Sequence, residues 1–282
     1  MAMQHTTAGA PDTVQPSAKP LEVPVRSYWQ RNENWLLGTI SMSLFLIFWE
    51  LVVAFGWVNP LFTSSPSRIV SAASDMFADG SIYEHIAVSA HEFAVGYGLA
   101  IVIGVPLGIL MGWYSRVNAV LEPFVSALYA TPRIALLPLI LIWLGIGIAS
   151  KIAIVFLGAV FPILVNTITG VRTVEADFIK VARSFGCSDR QLFLTVALPS
   201  SVPFLLAGLR LGLGHALVGI VVGEMYGATK GLGFLIATAG ARFQTDQVMV
   251  GIILIASAGV AMTELLRLIE RRFERWRPNL RG

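Results

Sequence analysis

TVEADFIKVARSFGCSDRQLFLTVALPSSVP, residues 173–203, is a charged island in an otherwise apolar chain. Asp177, Lys180, Arg183, Asp189 and Arg190 alternate with Phe178, Ile179, Val181, Ala182, Phe185, Leu192 and Phe193 at roughly helical spacing. That pattern reads as two short amphipathic helices, each with one apolar and one wet face. Gly186 suits a left-handed cap at the end of the first helix. Ser188 and Gln191 have the spacing of a capping box that starts the second, with Asp189 in its first turn. Leu198, Pro199 and Pro203 are expected to end the second helix, since proline removes a donor and clashes with the preceding turn. Spacing alone leaves a solvated loop between two membrane spans as an equal reading.

The sequence on either side of the island belongs in a membrane. Of 282 residues, 55% are hydrophobic and 13% charged, with a mean hydropathy of +0.72, whereas soluble domains carry about 25% charged residues. The net charge of +3, with basic residues scattered at loop ends, excludes a nucleic-acid surface. The single cysteine, Cys187, leaves no intramolecular disulfide and no multi-cysteine metal site, and reads as an ordinary loop thiol.

Residues 1–34 are polar and rich in Pro, Ser and Thr, without an apolar signal region, and are expected to form a disordered tail. Apolar runs long enough to cross a core about 30 Å thick follow at 35–57, 86–113, 119–146, 151–171, 201–225 and 248–266. Glu50 is the one charge in the first run, and 69–83 reads as a short interfacial helix on the far face. The expected fold is therefore all-α, a polytopic bundle of six transmembrane helices over 35–270, ending in a basic tail at 271–282. In the second run Gly96, Ala100, Gly104, Gly108 and Gly112 recur every fourth residue, a smooth stripe on which another helix can pack closely. Trp113 at the end of that run reads as an interfacial anchor.

Lysine and arginine placement sets the orientation. With both termini in the cytoplasm, Arg116, Arg172, Lys180, Arg183, Arg190 and the basic tail lie inside, leaving Arg68, Lys151, Lys230 and Arg242 outside. The island then projects into the cytoplasm between the fourth and fifth spans.

Arg133 and Arg210 are the costly groups, at about 2.5 to 3.5 kcal/mol for an arginine at mid-membrane. Either they line a pathway and attract an anion, or they pair with Glu92, Glu122, Glu224 or helix carbonyls. His215, alone in the fifth span, reads as a hydrogen-bonded bundle residue or a pathway residue. His91 and Glu92 begin an H-E-x-x-H pattern, but Val95 stands where the second histidine is needed, so no metal site follows. No G-x-x-x-x-G-K-[ST] loop and no G-x-S-x-G elbow is present, so neither ATP binding nor hydrolase chemistry is expected on this chain, and no catalytic residue is assigned.

At this point the island resembles a known pattern. Membrane-spanning permease subunits of bacterial ABC importers carry, in a cytoplasmic loop, Glu-Ala-Ala, three residues, Gly, nine residues, Ile, one residue, Leu-Pro. Lys180, Val181, Ala182, Gly186, Val196 and Leu198-Pro199 match that spacing, with Lys180 reversing the charge of the usual glutamate. Ala135-Leu136-Leu137-Pro138-Leu139, Trp143-Leu144-Gly145-Ile146-Gly147, Gly208-Leu209-Arg210 and Gly231-Leu232-Gly233 look like the nitrate, sulfonate and taurine branch, although Glu92 stands where that branch usually has arginine.

The resemblance implies a type I importer permease in the bacterial inner membrane. It would work as a homodimer with two ABC ATPase subunits, which hold the ATP and Mg, and with an extracytoplasmic solute-binding protein. Phe178, Lys180, Val181, Ala182, Arg183, Phe185, Gly186, Leu198 and Pro199 would couple to the ATPase. Arg133, Arg210, His215 and Glu224 are pathway candidates for a small anionic solute such as a sulfonate, taurine or nitrate, and Glu224, Tyr226 and the Gly-Leu-Gly loop would form an outer gate. The competing reading is an ATP-independent secondary transporter or channel, with Glu50 and Glu92 as buried coupling carboxylates.

Overall fold

The computed structural model describes residues 28–59, 61–174 and 176–273. The part of the expected tail before Tyr28, and of the basic tail after Phe273, lies outside the described residues. Helix α1, Tyr28–Ala54, begins inside the stretch expected to be tail. Packing divides the chain after Phe48, and the unit before that point is the amino-terminal part of this one apolar helix.

The second unit opens with the end of α1. There Glu50 accepts hydrogen bonds from Ser67 N–H (3.0 Å) and Ser67 Oγ (2.7 Å) in the first turn of α2, Pro66–Ala78. A carboxylate at a helix N-terminus meets unpaired N–H groups and the positive end of the dipole. This acid, a candidate for coupling, thus serves as a cap. Helix α2 is a separate element, and α3 begins only at Ser81 and runs to Trp113.

Next come α4, Ser115–Ala130, a 3-10 turn at Arg133–Leu136, and α5, Leu137–Leu144. The third expected span is not one straight helix: α4 and the segment after it are bent by 90°. Pro132 explains the break, because a residue before proline is driven out of the α region, and Thr131 is extended at φ −71°, ψ 129°. Gly145, at φ +74°, ends α5 in a conformation that glycine adopts without strain.

Helix α6, Ile148–Arg172, is the centre of the fold. It packs on α3 along one side and on α9, Leu198–Gly227, along another. The stripe on α3 is what permits this. A Cβ added at Gly96, Gly108 or Gly112 would stand 2.7 Å from the Cβ of Val155, Thr167 or Val171, and at Gly104 3.2 Å from Ile163 Cγ2. Gly208 and Gly212 on α9 make the same close approach to Asn166 and Ile163. The packing stripes of both helices are therefore used within one subunit. α10, Leu232–Ala241, and α11, Thr245–Phe273, complete the unit, with Ile69, Met76, Ile82, Leu232, Leu235 and Val250 forming a second apolar cluster. Among the described residues five helices are long and apolar enough to cross a membrane, or six if the bent pair counts as one span.

Candidate functional site

Three places carry the groups that sequence reasoning singled out. The first is the island. Helix α7, Ala176–Ser184, stops at Gly186 (φ +73°), where Cys187 N–H donates to Ala182 O (3.2 Å). Ser188 and Gln191 form the reciprocal capping box, opening α8, Asp189–Leu192. Arg183 Nη2 reaches Asp189 Oδ1 (3.2 Å) across the turn, and Lys180 pairs with Asp177 (3.0 Å). Both pairs are exposed and orient more than they stabilise. Phe178, Val181 and Phe185, spaced i, i+3 and i+7, are 54%, 55% and 85% exposed. Phe178 and Val181 lie on one face of α7 and Phe185 follows it in the turn, so large apolar groups are left uncovered together, which a folded chain rarely does without a partner.

Contrary to expectation, Leu198 and Pro199 do not end the second helix. After α8 the backbone widens into a π turn, Phe193–Ala197, in which Leu198 N–H bonds back to Phe193 O, and it continues into α9. Pro199 falls in the first turn of α9, where a missing N–H costs least. The result is one helical path from Asp189 to Gly227. Trp113, at the end of α3, sets its ring edge against Phe193 (5.0 Å between centroids), so it braces this path.

The second place is around Gly158, which Arg133 and His215 both meet. Arg133 Nη1 donates to Gly158 O at 3.0 Å. Pro162, four residues on in α6, has no N–H, so the Gly158 carbonyl lacks its helical donor and Arg133 replaces it. The guanidinium carbon lies 5.5 Å from the centre of the Tyr129 ring. His215 is exposed on α9 where its backbone touches Gly158, near enough for the charge of Arg133 to act on it. Arg210 is elsewhere: it makes an ion pair with Glu270 on α11. Neither arginine meets Glu92, Glu122 or Glu224. Glu122 accepts from Ser126 Oγ (2.9 Å).

The third place is the turn before α10. Glu224, fully buried at the end of α9, accepts from Ser89 Oγ (2.6 Å) and from Gly233 N–H (2.6 Å), while Leu232 N–H donates to Ser89 Oγ (2.8 Å). Gly231 N–H donates to His85 Nδ1 at 3.0 Å. A Cβ on Gly231, at φ +124°, would collide with the Glu224 carboxylate. His85, Ser89 and Glu92 repeat along one side of α3, and behind the turn Lys151 Nζ lies 2.8 Å from Glu92 Oε1. That contact joins charges without hydrogen-bond alignment, so both Glu92 oxygens lack a hydrogen-bond donor. Lys151 is thus buried in the bundle. Glu92 and Glu224 are close enough for their charges to interact, so one ammonium serves two acids. Sequence reasoning missed Lys151. The signal available was a lysine three residues inside α6, below its first turn.

A family described as "binding-protein-dependent transport system inner membrane component" matches residues 104–275, which includes the island, α6 and α9. The chain belongs to that family. This permease chain is 32% identical over 253 residues to the putative aliphatic sulfonates transport permease SsuC of Bacillus subtilis (strain 168), covering 90% of this chain and 92% of the relative. It is also 32% identical to the taurine transport system permease TauC of Escherichia coli (strain K12), covering 88% and 92%. A solved structure of the methionine ABC transporter MetNI in inward-facing conformations shares the fold at a TM-score of 0.52 and 21% identity, covering 66% of this chain and 95% of that one. The chain is a multi-pass membrane permease with a type I importer fold.

Proposed function

We propose that this permease forms the translocation pathway of an ATP-driven importer for a small anionic solute, a sulfonate or taurine-like compound, nitrate or similar. The solute is delivered by a solute-binding protein, and two separate ABC ATPase subunits hold ATP and Mg. The permease acts as a homodimer with both termini in the cytoplasm.

The observation that carries this reading is the exposed apolar set of Phe178 and Val181 on α7 and Phe185 in the turn after it, displayed on a hairpin whose continuation is α9. An apolar helix face with a charged rim is suited to a groove on a partner, and a rigid helix behind it transmits the partner's movement. Phe185→Asp tests it. Co-purification with the ATPase subunit should weaken by about 30-fold or more, the loss typical of a central apolar anchor, with the permease itself still inserted in the membrane. Undiminished ATPase binding by that variant would refute the docking role. The names of the relatives support the solute class, and ATP-driven uptake of ethanesulfonate, taurine and nitrate by the reconstituted complex measures it.

A further inference from the structure

Among the described residues Lys151 and Arg210 each meet a carboxylate, whereas Arg133 meets none. It sits in the break between α4 and α5, two apolar helices that can count as one bent span, and an uncompensated charge in such a segment is expensive. Its one hydrogen bond goes to Gly158 O, the carbonyl left open by Pro162. A guanidinium has five N–H donors, so most of the fork remains for another acceptor. Anchoring one nitrogen also holds the head group in place before any ligand arrives, which lowers the ordering cost of binding. On α9, whose backbone at His215 touches the same Gly158, Leu211, His215 and Val218 are exposed on one side, the imidazole being the polar group among them. A charged fork and a ring nitrogen on an apolar wall are the elements of an oxyanion site.

Building on the importer reading, we infer that Arg133, with His215 next to it, contacts the oxyanion of the transported solute and makes the permease discriminate anionic from uncharged solutes. The same chemistry would suit the phosphate of a lipid headgroup, so the test separates the two sources. The full complex of permease, ATPase and binding protein is reconstituted in phosphatidylcholine vesicles, with and without phosphatidylglycerol. ATP-driven uptake of ethanesulfonate, taurine and nitrate, and of cytosine as an uncharged solute, is then followed for the wild type and for R133Q, R133K, H215Q, P162A and P162A/R133Q.

For whichever anion the wild type carries, R133Q should raise KM about 10- to 100-fold, the range for losing a charge-assisted contact. R133K should recover part of this, and H215Q should show a smaller rise. P162A restores the N–H that Gly158 O lacks, so P162A/R133Q should regain complex yield while keeping the high KM. Recovery of a normal KM in that double variant would reduce Arg133 to a helix brace and overturn the inference. An unchanged KM in R133Q, or wild-type import limited to cytosine, does so directly. If R133Q alters only the dependence on phosphatidylglycerol, the anion is a headgroup and the solute contact is refuted. Absence of any ATP-driven uptake by the wild type would instead overturn the importer reading, and this inference with it.

Discussion

Removing the ammonium of Lys151 would leave Glu92 and Glu224 buried near one another without their shared cation. Lys151→Met is therefore expected to cost about 3 to 5 kcal/mol, the range for stranding one side of a buried ion pair. Glu92→Leu in the same molecule should return part of it, because one of the two stranded charges goes. Thermal unfolding of the purified permease checks this, and a double variant that loses as much as Lys151→Met and Glu92→Leu added together would show that the groups act independently. Residue pairing was the least legible layer of the sequence. Counting positive charges per loop assigns Lys151 a side of the membrane but no partner, since that count knows nothing of an acid in a distant helix. Arg210 illustrates the same limit: its carboxylate partner is Glu270 on the last helix, where only a basic run stood out, and not Glu92, Glu122 or Glu224.

At the scale of elements the sequence was far more open. A glycine every fourth residue is a property of one helix, readable without its partner, and the structure sets that stripe against α6. Its consequence is position-specific. At Gly96 an added methyl meets Val155 Cβ at 2.7 Å and the Ile152 carbonyl at 2.8 Å, whereas at Gly98 it meets nothing within 4 Å. Gly96→Ala should destabilise the permease by about 1 to 3 kcal/mol through overpacking. Gly98→Ala should be neutral or slightly favourable, given alanine's helix propensity. Equal melting temperatures for the two variants would contradict the packing argument. Gly186 and the Ser188–Gln191 box were equally legible, being local hydrogen-bond patterns. The bend after α4 and the π turn before α9 were not. In both cases proline was noticed, but how it is absorbed depends on what packs beside it: Pro132 breaks the helix by 90°, while Pro199 follows a widened turn and the helix goes on.

Across the whole molecule, the helical path from Asp189 to Gly227 contains 39 residues, about 58 Å at 1.5 Å per residue. One end is the hairpin that carries α7. The other is Glu224, held by Ser89 and Gly233. If the hairpin docks on an ATPase as proposed, a push on it would reach the turn at Gly231–Gly233, and that turn tolerates little. Gly231→Ala should cost about 1 to 2 kcal/mol for the left-handed backbone alone, and it displaces Glu224 besides. In the assembled complex the expected outcome is ATP hydrolysis that no longer responds to the loaded binding protein. A normal response would show that the turn is passive. Assembly order adds a demand of its own. Glu92 is synthesised well before Lys151, and Glu224 later still, so α3 enters the bilayer carrying an acid whose only cation does not yet exist. That cost is expected to favour holding α3 beside the insertion machinery until α6 emerges.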